Sequence, residues 1–128
     1  MAWRRSPRRG TLPGVGSRKR FERLVADAID SLPAWVLERL ENVDVVIEEE
    51  PPDDDPDLLG LYQGIPLTER GMDYAGVLPD RIVLFRRTIE AEAEDEEDLQ
   101  RIVADTVVHE VAHFFGISDE RLEELGWD

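Results

Sequence analysis

The stretch His109-Glu110-Val111-Ala112-His113-Phe114-Phe115-Gly116-Ile117-Ser118-Asp119 carries most of the structural and chemical information in this chain. It contains both histidines of the 128 residues. Residues four apart lie on one face of an α-helix, about 6 Å apart along its axis. Two imidazoles placed in this way can bind one tetrahedral metal ion, and a glutamate after the first histidine borders that ion without having to bind it. The stretch therefore predicts a metal-binding helix with a general base beside the ion.

An apolar stripe supports a helix that begins before this motif and runs through it. The stripe repeats at intervals of three and four residues and consists of Leu99, Val103, Val107, Val111 and Phe114. Both histidines fall on roughly the opposite face, so the sequence predicts that the apolar side packs on the core while the histidines face a cleft. Asp105 could orient the first imidazole through its carboxylate, although a solvated helix aspartate is the simpler interpretation.

The end of the motif supplies a candidate third ligand. Gly116 stands where the helix should stop, because glycine adopts the left-handed conformation that ends many helices. A turn there can bring Asp119 back toward the metal. Two neutral imidazoles and one carboxylate leave a fourth position for water, as in catalytic zinc sites. Zinc would lower the pKa of that water, and Glu110 would accept its proton during attack on a carbonyl group.

Alternatives to this ligand set remain open. Ser118 or Asp119 could instead be the N-cap of a short helix through Leu125. Glu120 and Glu123 are then further candidate ligands. An HExxH pentad also occurs by chance on amphipathic helices whose histidines are merely exposed.

The sequence HEVAHFFGISD resembles the HExxHxxGxx(H/D) motif of the metzincin side of the zincin metallopeptidases. The longer string HEVAHFFGISDERLEELGW, with GLYQGIPLTERG and PDRIVLFRR upstream, is similar to the small bacterial minimal zincins, which are described as having a matrix-metalloprotease-like domain. This resemblance covers roughly Phe21–Trp127. It implies that the zinc ligands are His109, His113 and Asp119, that Glu110 is the general base, and that a short sheet packs on the motif helix.

The chain departs from metzincins proper in one respect. Those enzymes carry a methionine turn downstream of the motif, whereas the two methionines of this chain, Met1 and Met72, both lie upstream. The nine residues after Asp119 are too few for a lower subdomain with a deep pocket for a substrate side chain. This departure fits the minimal zincins, which lack that subdomain.

The remaining segments predict an α+β domain, in which a small twisted sheet of about three strands packs on the metal-binding helix. Two helices precede the sheet: one runs from Ser17 or Arg18 to about Asp30, and a short one follows with Ser31 as its candidate N-cap. The predicted strands are Val43–Glu48, Leu58–Gly64 and Arg81–Ile89. Seven acids within residues 90–98 suit the N-terminus of the metal-binding helix.

A peptidase also needs a place for its substrate. Zincins bind an extended peptide against a sheet edge, which either Leu58–Leu67 or Arg81–Ile89 could supply. Tyr62 and Tyr74 are candidate donors to the oxyanion, although each is equally a packing residue. The expected partner is therefore an extended peptide or protein substrate.

Charge is divided unevenly along the chain. Residues 1–23 hold eight basic residues and one acid, a balance of +7, and residues 24–128 hold seven basic and 29 acidic residues, a balance of −22. Residues 1–16 are expected to be a disordered basic tail, followed by a single domain over residues 17–128. The acidic domain argues against a nucleic-acid substrate, which leaves the basic tail as the segment that could contact nucleic acid.

Other features exclude further classes. The chain has no cysteine, so disulfides and thiolate metal sites are excluded. No apolar run is long enough for a membrane span, and the first twenty residues lack the apolar segment of a secretory signal. A cytoplasmic protein is therefore expected.

Three functions are compatible with these patterns. The leading one is a zinc-dependent metallopeptidase that hydrolyses peptide bonds with a water activated by Glu110. The second is a non-catalytic metal-binding or protein-interaction module that retains the zincin ligands. A zinc-dependent RNA-processing hydrolase is a third, but the acidic domain and the glutamate at position 110 both argue against it.

Overall fold

A mixed sheet packed on one long helix forms the frame of the protein. The computed structural model describes residues 2–4, 18–69 and 80–124. The strands are β1 (Ala2–Arg4), β2 (Val43–Glu48), β3 (Leu58–Gln63) and β4 (Asp80–Phe85). The helices are α1 (Arg18–Asp30), α2 (Ala34–Arg39), α3 (Arg86–Glu92), α4 (Glu96–Phe114) and α5 (Asp119–Glu124), with a 3-10 turn at Leu67–Glu69. The predicted α+β class and the long motif helix are both present.

The strand order is β1-β3-β4-β2, which places β4 in the interior of the sheet. Strands β2 and β4 are parallel, while β3 is antiparallel to β4 on its other side. The three predicted strands therefore form adjacent members of one sheet. Strand β1 adds to the outer edge of β3 in the antiparallel sense.

Strand β1 differs from the expectation of a disordered tail over residues 1–16. Residues 2–4 pair with β3, whose outer edge would otherwise present a row of unpaired backbone groups. Such pairing is a tertiary event with no local sequence signal. The prediction for residues 5–16 lies outside the described residues.

The two N-terminal helices occur where they are predicted, but the cap of the second one is different. Helix α2 is preceded by Pro33 at its N-cap, and no side chain caps it. The hydroxyl of Ser31 instead donates to the backbone carbonyl of Asp27, at 2.8 Å. The prediction of Ser31 as an N-cap is therefore wrong, because this serine bonds back to the end of α1.

The predicted strand Arg81–Ile89 is too long at its C-terminal end. Strand β4 ends at Phe85, and α3 begins at the next residue. Ile89 is fully buried, and so is Ala93 four residues later, which is helical spacing. The guanidinium of Arg86 also lies 3.1 Å from the carboxylate of Glu90, an i,i+4 pair that favours a helix.

Helix α4 begins as the acid-rich segment predicts. The side chain of Asp95 at the N-cap accepts a hydrogen bond from the backbone N–H of Asp98, at 2.8 Å. The first turn carries three acids, which the partial positive charge of the helix N-terminus favours.

One apolar core lies between the sheet and helices α1 and α4, and it holds α4 in place. Its largest fully buried members are Phe21, Leu59, Ile82, Leu84, Ile89, Leu99 and Ile102. The predicted stripe of α4 is part of this core. Among the described residues, no helix has the length and apolar character needed to cross a membrane.

Candidate functional site

The second half of α4 is enclosed on all sides. Its predicted functional residues are almost without solvent exposure: 2 % for His109, 0 % for Glu110 and 2 % for His113. The expectation that the histidines face an open cleft is therefore not met in this structure. Helix α4 contacts α1 on one side and strands β1, β3 and β4 on another, which explains why residues off the apolar stripe are also buried.

A glycine in β3 permits the close approach of the sheet to this part of α4. A Cβ atom placed on Gly60 would lie 2.6 Å from Cγ2 of Thr106 and 3.2 Å from Oε2 of Glu110. The missing side chain thus leaves the space that the helix and the carboxylate occupy. This role of Gly60 was not predicted from the sequence, although a glycine inside a predicted strand often marks a close approach of another segment.

His109 is held by a backbone contact. Its Nδ1 atom lies 2.8 Å from the carbonyl oxygen of Asp105, and because a carbonyl only accepts, Nδ1 must donate. In the neutral imidazole the lone pair is then on Nε2, which is the form that binds a metal ion. The suggested role of the Asp105 carboxylate is wrong, since that group lies 3.6 Å from the guanidinium of Arg101 instead.

His113 lies between two carboxylates. Its Nδ1 atom is 3.1 Å from Oε1 of Glu110, and its Nε2 atom is 2.8 Å from Oδ1 of Asp119. Burial lowers the pKa of His113, but the hydrogen bonds and negative charges of the two carboxylates outweigh it and raise the pKa above its ordinary value. The Nε2 atom of His113 and the carboxylate of Asp119 are thus adjacent, as two ligands of one cation would be.

Glu110 combines full burial with an unsatisfied oxygen atom. Its Oε1 atom contacts His113, whereas Oε2 has no hydrogen-bond partner within the described part of the chain. Burial raises the pKa of Glu110, and the contact with His113 only partly opposes this effect. A buried carboxylate with a raised pKa and a free lone pair is suited to accept a proton.

A tight turn follows α4 and precedes Asp119. Gly116 has a φ of 83°, the left-handed conformation expected of it. Its N–H donates to the carbonyl of His113, and the N–H of Ile117 donates to that of Ala112, a pattern that closes many helix ends. The chain therefore reverses within two residues of α4.

Of the two candidate N-caps for the last helix, the structure uses Ser118. Its hydroxyl accepts a hydrogen bond from the backbone N–H of Arg121, at 3.1 Å. Asp119 is the first residue of α5, and its side chain, which is 60 % exposed, extends back to His113. The carboxylate is thus available for the site. Glu120 and Glu123, the other candidate ligands, are exposed on α5.

The structure connects some of the predicted site residues directly. Glu110, His113 and Asp119 form a continuous chain of contacts, and His109 lies one helical turn before His113. Within residues 2–4, 18–69 and 80–124, however, no three His, Cys, Asp or Glu side chains form a cluster ready to hold a metal ion. The donor set suits zinc by chemistry, with two imidazoles, one carboxylate and a second carboxylate whose outer oxygen has no protein partner among the described residues.

The structure does not support Tyr62, one of the two candidate donors to the oxyanion. The hydroxyl of Tyr62 donates to Oδ2 of Asp80 at 2.8 Å, and its ring packs edge-on against Phe114 inside the core. Tyr62 is therefore a packing residue. Tyr74 lies outside the described residues.

Comparisons with known proteins agree with this geometry at the level of fold and family. The family described as "Zincin-like metallopeptidase" matches residues 40–127, well over half of the chain. A solved structure of a conserved hypothetical protein from Thermo thermophilus has 24 % sequence identity and a TM-score of 0.52, covering 86 % of this chain and 97 % of the other. That similarity shows a shared fold only. No curated protein matches the sequence.

Proposed function

Because the chain belongs to the zincin-like metallopeptidase family, we propose that it is a zinc-dependent peptidase. His109, His113 and Asp119 would hold the ion, and Glu110 would act as general base. The observation that carries this proposal is the buried carboxylate of Glu110, whose Oε2 atom has no partner in the described residues and which touches one candidate ligand. A structural zinc site has no need of such a group.

The side chains divide the work of binding and proton transfer. The contact with the Asp105 carbonyl fixes the tautomer of His109, so that Nε2 can act as a ligand. The turn at Gly116 and the cap at Ser118 keep Asp119 beside His113. Bound zinc would supply a Lewis acid that lowers the pKa of water toward neutrality.

Glu110 would carry the proton during hydrolysis. Its Oε2 atom accepts a proton from the attacking water and then donates it to the amine nitrogen of the leaving peptide. Burial raises the pKa of this carboxylate toward the range that suits both steps. The same burial excludes bulk water, which would otherwise screen the charge that develops in the transition state.

The sheet supplies a place for the substrate backbone. Strand β4 is flanked by β3 and β2 along its length, whereas the outer edge of β3 carries only the three-residue strand β1 and runs beside Glu110 at Gly60. We assign β3 as the strand that an extended peptide would join. Of the two segments that the sequence left open, this proposal takes Leu58–Leu67.

The test is a comparison of wild type with Glu110→Gln. Both proteins should bind about one zinc per chain, measured by elemental analysis after dialysis, because the glutamate is not a ligand. Cleavage of a peptide library, read by mass spectrometry, should fall at least about a hundredfold in the variant, as is typical when a general base is lost. Glu97→Gln, the same change at an exposed position of α4, is the control and should keep wild-type cleavage.

The second candidate function is a binding module without turnover. The burial of both histidines favours it, because a peptide substrate cannot reach them in this arrangement. If wild type and Glu110→Gln both bind zinc and neither cleaves any library member, this candidate replaces the peptidase. Failure of wild type to bind zinc would exclude the peptidase and a metal-binding module, and would leave a protein-interaction module.

A further inference from the structure

The outer edge of β3 is already in use. Strand β1 lies antiparallel to β3, with Ala2 opposite Leu61 and Trp3 opposite Gly60. The register then shifts, so that Arg4 is opposite Leu58. An incoming peptide would need the backbone groups of β3 that this strand occupies.

The position of β1 along β3 matters as much as the pairing. Its partner Gly60 is the residue against which the Glu110 carboxylate packs, and β1 itself contacts α4. The chain's own N-terminal strand therefore passes directly beside the proposed general base. In this arrangement Glu110 has no solvent exposure, so a substrate cannot reach it unless a covering segment moves.

We propose that residues 2–4 act as an autoinhibitory strand that occupies the peptide-binding edge of β3 and must leave before a substrate binds. The inference that the outer edge of β3 binds a substrate rests on the proposed function. The competition between β1 and another strand for that edge does not. A second extended peptide and β1 cannot form the same ladder at once.

The expected strength of the competition follows from the short strand and its tether. We take a dissociation constant of about 100 µM for the weak ladder that three residues form by themselves, and an effective concentration on the order of 1 mM for a strand that belongs to the same chain. The ratio of these values predicts that β1 weakens the binding of an external peptide about tenfold. Attraction between the first 23 residues, at +7, and the rest of the chain, at −22, makes the competition weaker in high salt.

Two variants release the edge by different means. One lacks residues 2–4, and the other is the full chain with Ala2→Pro and Trp3→Pro, which removes two of the three backbone N–H groups of β1. Arg8→Ala/Arg9→Ala is the control, because it lowers the positive charge of the N-terminus more than the deletion does and keeps the sequence of β1.

The test uses two measurements that need neither zinc nor cleavage. In hydrogen exchange, amides of Leu58–Gln63 that face β1 should exchange at least about tenfold faster in both released variants, while those paired with β4 stay unchanged. A fluorescein-labelled peptide with the sequence MAWRRSPRRG should bind the released variants about tenfold more tightly than wild type or the control.

Equal exchange and equal peptide affinity in all four proteins would overturn the inference. Protection of β3 that rises with protein concentration would also overturn it, because the strand would then come from a second copy. If the released variants bind the labelled peptide more tightly and still cleave nothing, the competition between β1 and an external peptide stands and the proposed peptidase activity fails.

Discussion

Gly60→Ala tests the close approach of β3 to α4, on which the position of Glu110 depends. The new methyl group would lie 2.6 Å from Cγ2 of Thr106, a side chain with no solvent exposure, and 3.2 Å from Cγ of Glu110. No positive φ is recorded for Gly60, so its backbone accepts alanine and the entire cost comes from crowding.

Two opposing effects set the destabilisation that Gly60→Ala causes. Overpacking of a closed core costs about 1–3 kcal/mol of unfolding free energy. Replacing glycine by alanine also lowers the conformational entropy of the unfolded chain, which raises the free energy of unfolding by about 0.4–1 kcal/mol. We therefore expect Gly60→Ala to destabilise the protein by about 1–2 kcal/mol.

A second substitution should relieve this crowding. Thr106→Ser removes Cγ2 but keeps the hydroxyl that donates to the carbonyl of Ile102 at 2.7 Å. Alone it should cost about 1 kcal/mol for the lost methyl group. In the double variant Gly60→Ala/Thr106→Ser the alanine methyl fills the vacated space. The destabilisation of the double variant should therefore be about 1–2 kcal/mol smaller than the sum of the two single destabilisations.

The assay is urea unfolding of wild type, the two single variants and the double variant, monitored by circular dichroism at one protein concentration. The free energies can be compared if the four m-values are equal. The control cycle uses Thr68→Ser, the same change at an exposed threonine, in place of Thr106→Ser. Its effect on stability should add to that of Gly60→Ala. Additivity within about 0.5 kcal/mol for the Gly60 and Thr106 pair would refute the packing argument.

Two further predictions concern the end of α4 and an ion pair. Gly116→Ala should destabilise the protein by about 1–2 kcal/mol in urea unfolding, because its φ of 83° and the contact of a Cβ atom with Thr68 both oppose a side chain; an unchanged midpoint would contradict this. The hydrogen bond from Arg86 lowers the pKa of Glu49 from 4.5 to about 2, so the stabilisation is present above about pH 4.5 and is lost as the pH falls toward 2. Glu49→Gln should therefore lower the urea midpoint at pH 7. The difference in midpoint between the variant and wild type should shrink as the pH is lowered from 5 to 3, and a difference that does not depend on pH would count against the ion pair.

Local patterns predicted the elements whose signals lie within a few residues. Val43–Glu48 was predicted with the bounds that the structure has, because a short segment rich in valine favours a strand. The end of α4 at Gly116 was also predicted, because it depends on one glycine and its own backbone. The error at Arg86–Ile89 came from extending the strand beyond its apolar residues, which end at Phe85, although Ile89 and Ala93 have helical spacing.

Features that depend on distant segments were not predictable in the same way. Thr106 and Glu110 are buried where α4 meets β3 at Gly60, a contact between residues about fifty positions apart. The strand at residues 2–4 depends on the edge that β3 presents and not on its own composition. The roles of the site residues themselves were proposed from their spacing and remain proposals.

The pairing of early and late segments also constrains how the protein is made. Helix α1 packs on α4, and the neighbour of β2 in the sheet is β4, although β3 lies between them in the chain. A polypeptide emerging from the ribosome therefore cannot close its core until α4 has left the exit tunnel, and its contacts of long sequence separation slow that closure. We expect ribosome-bound chains that end before Glu96 to be digested readily by protease, and chains that extend well beyond Asp119 to resist it.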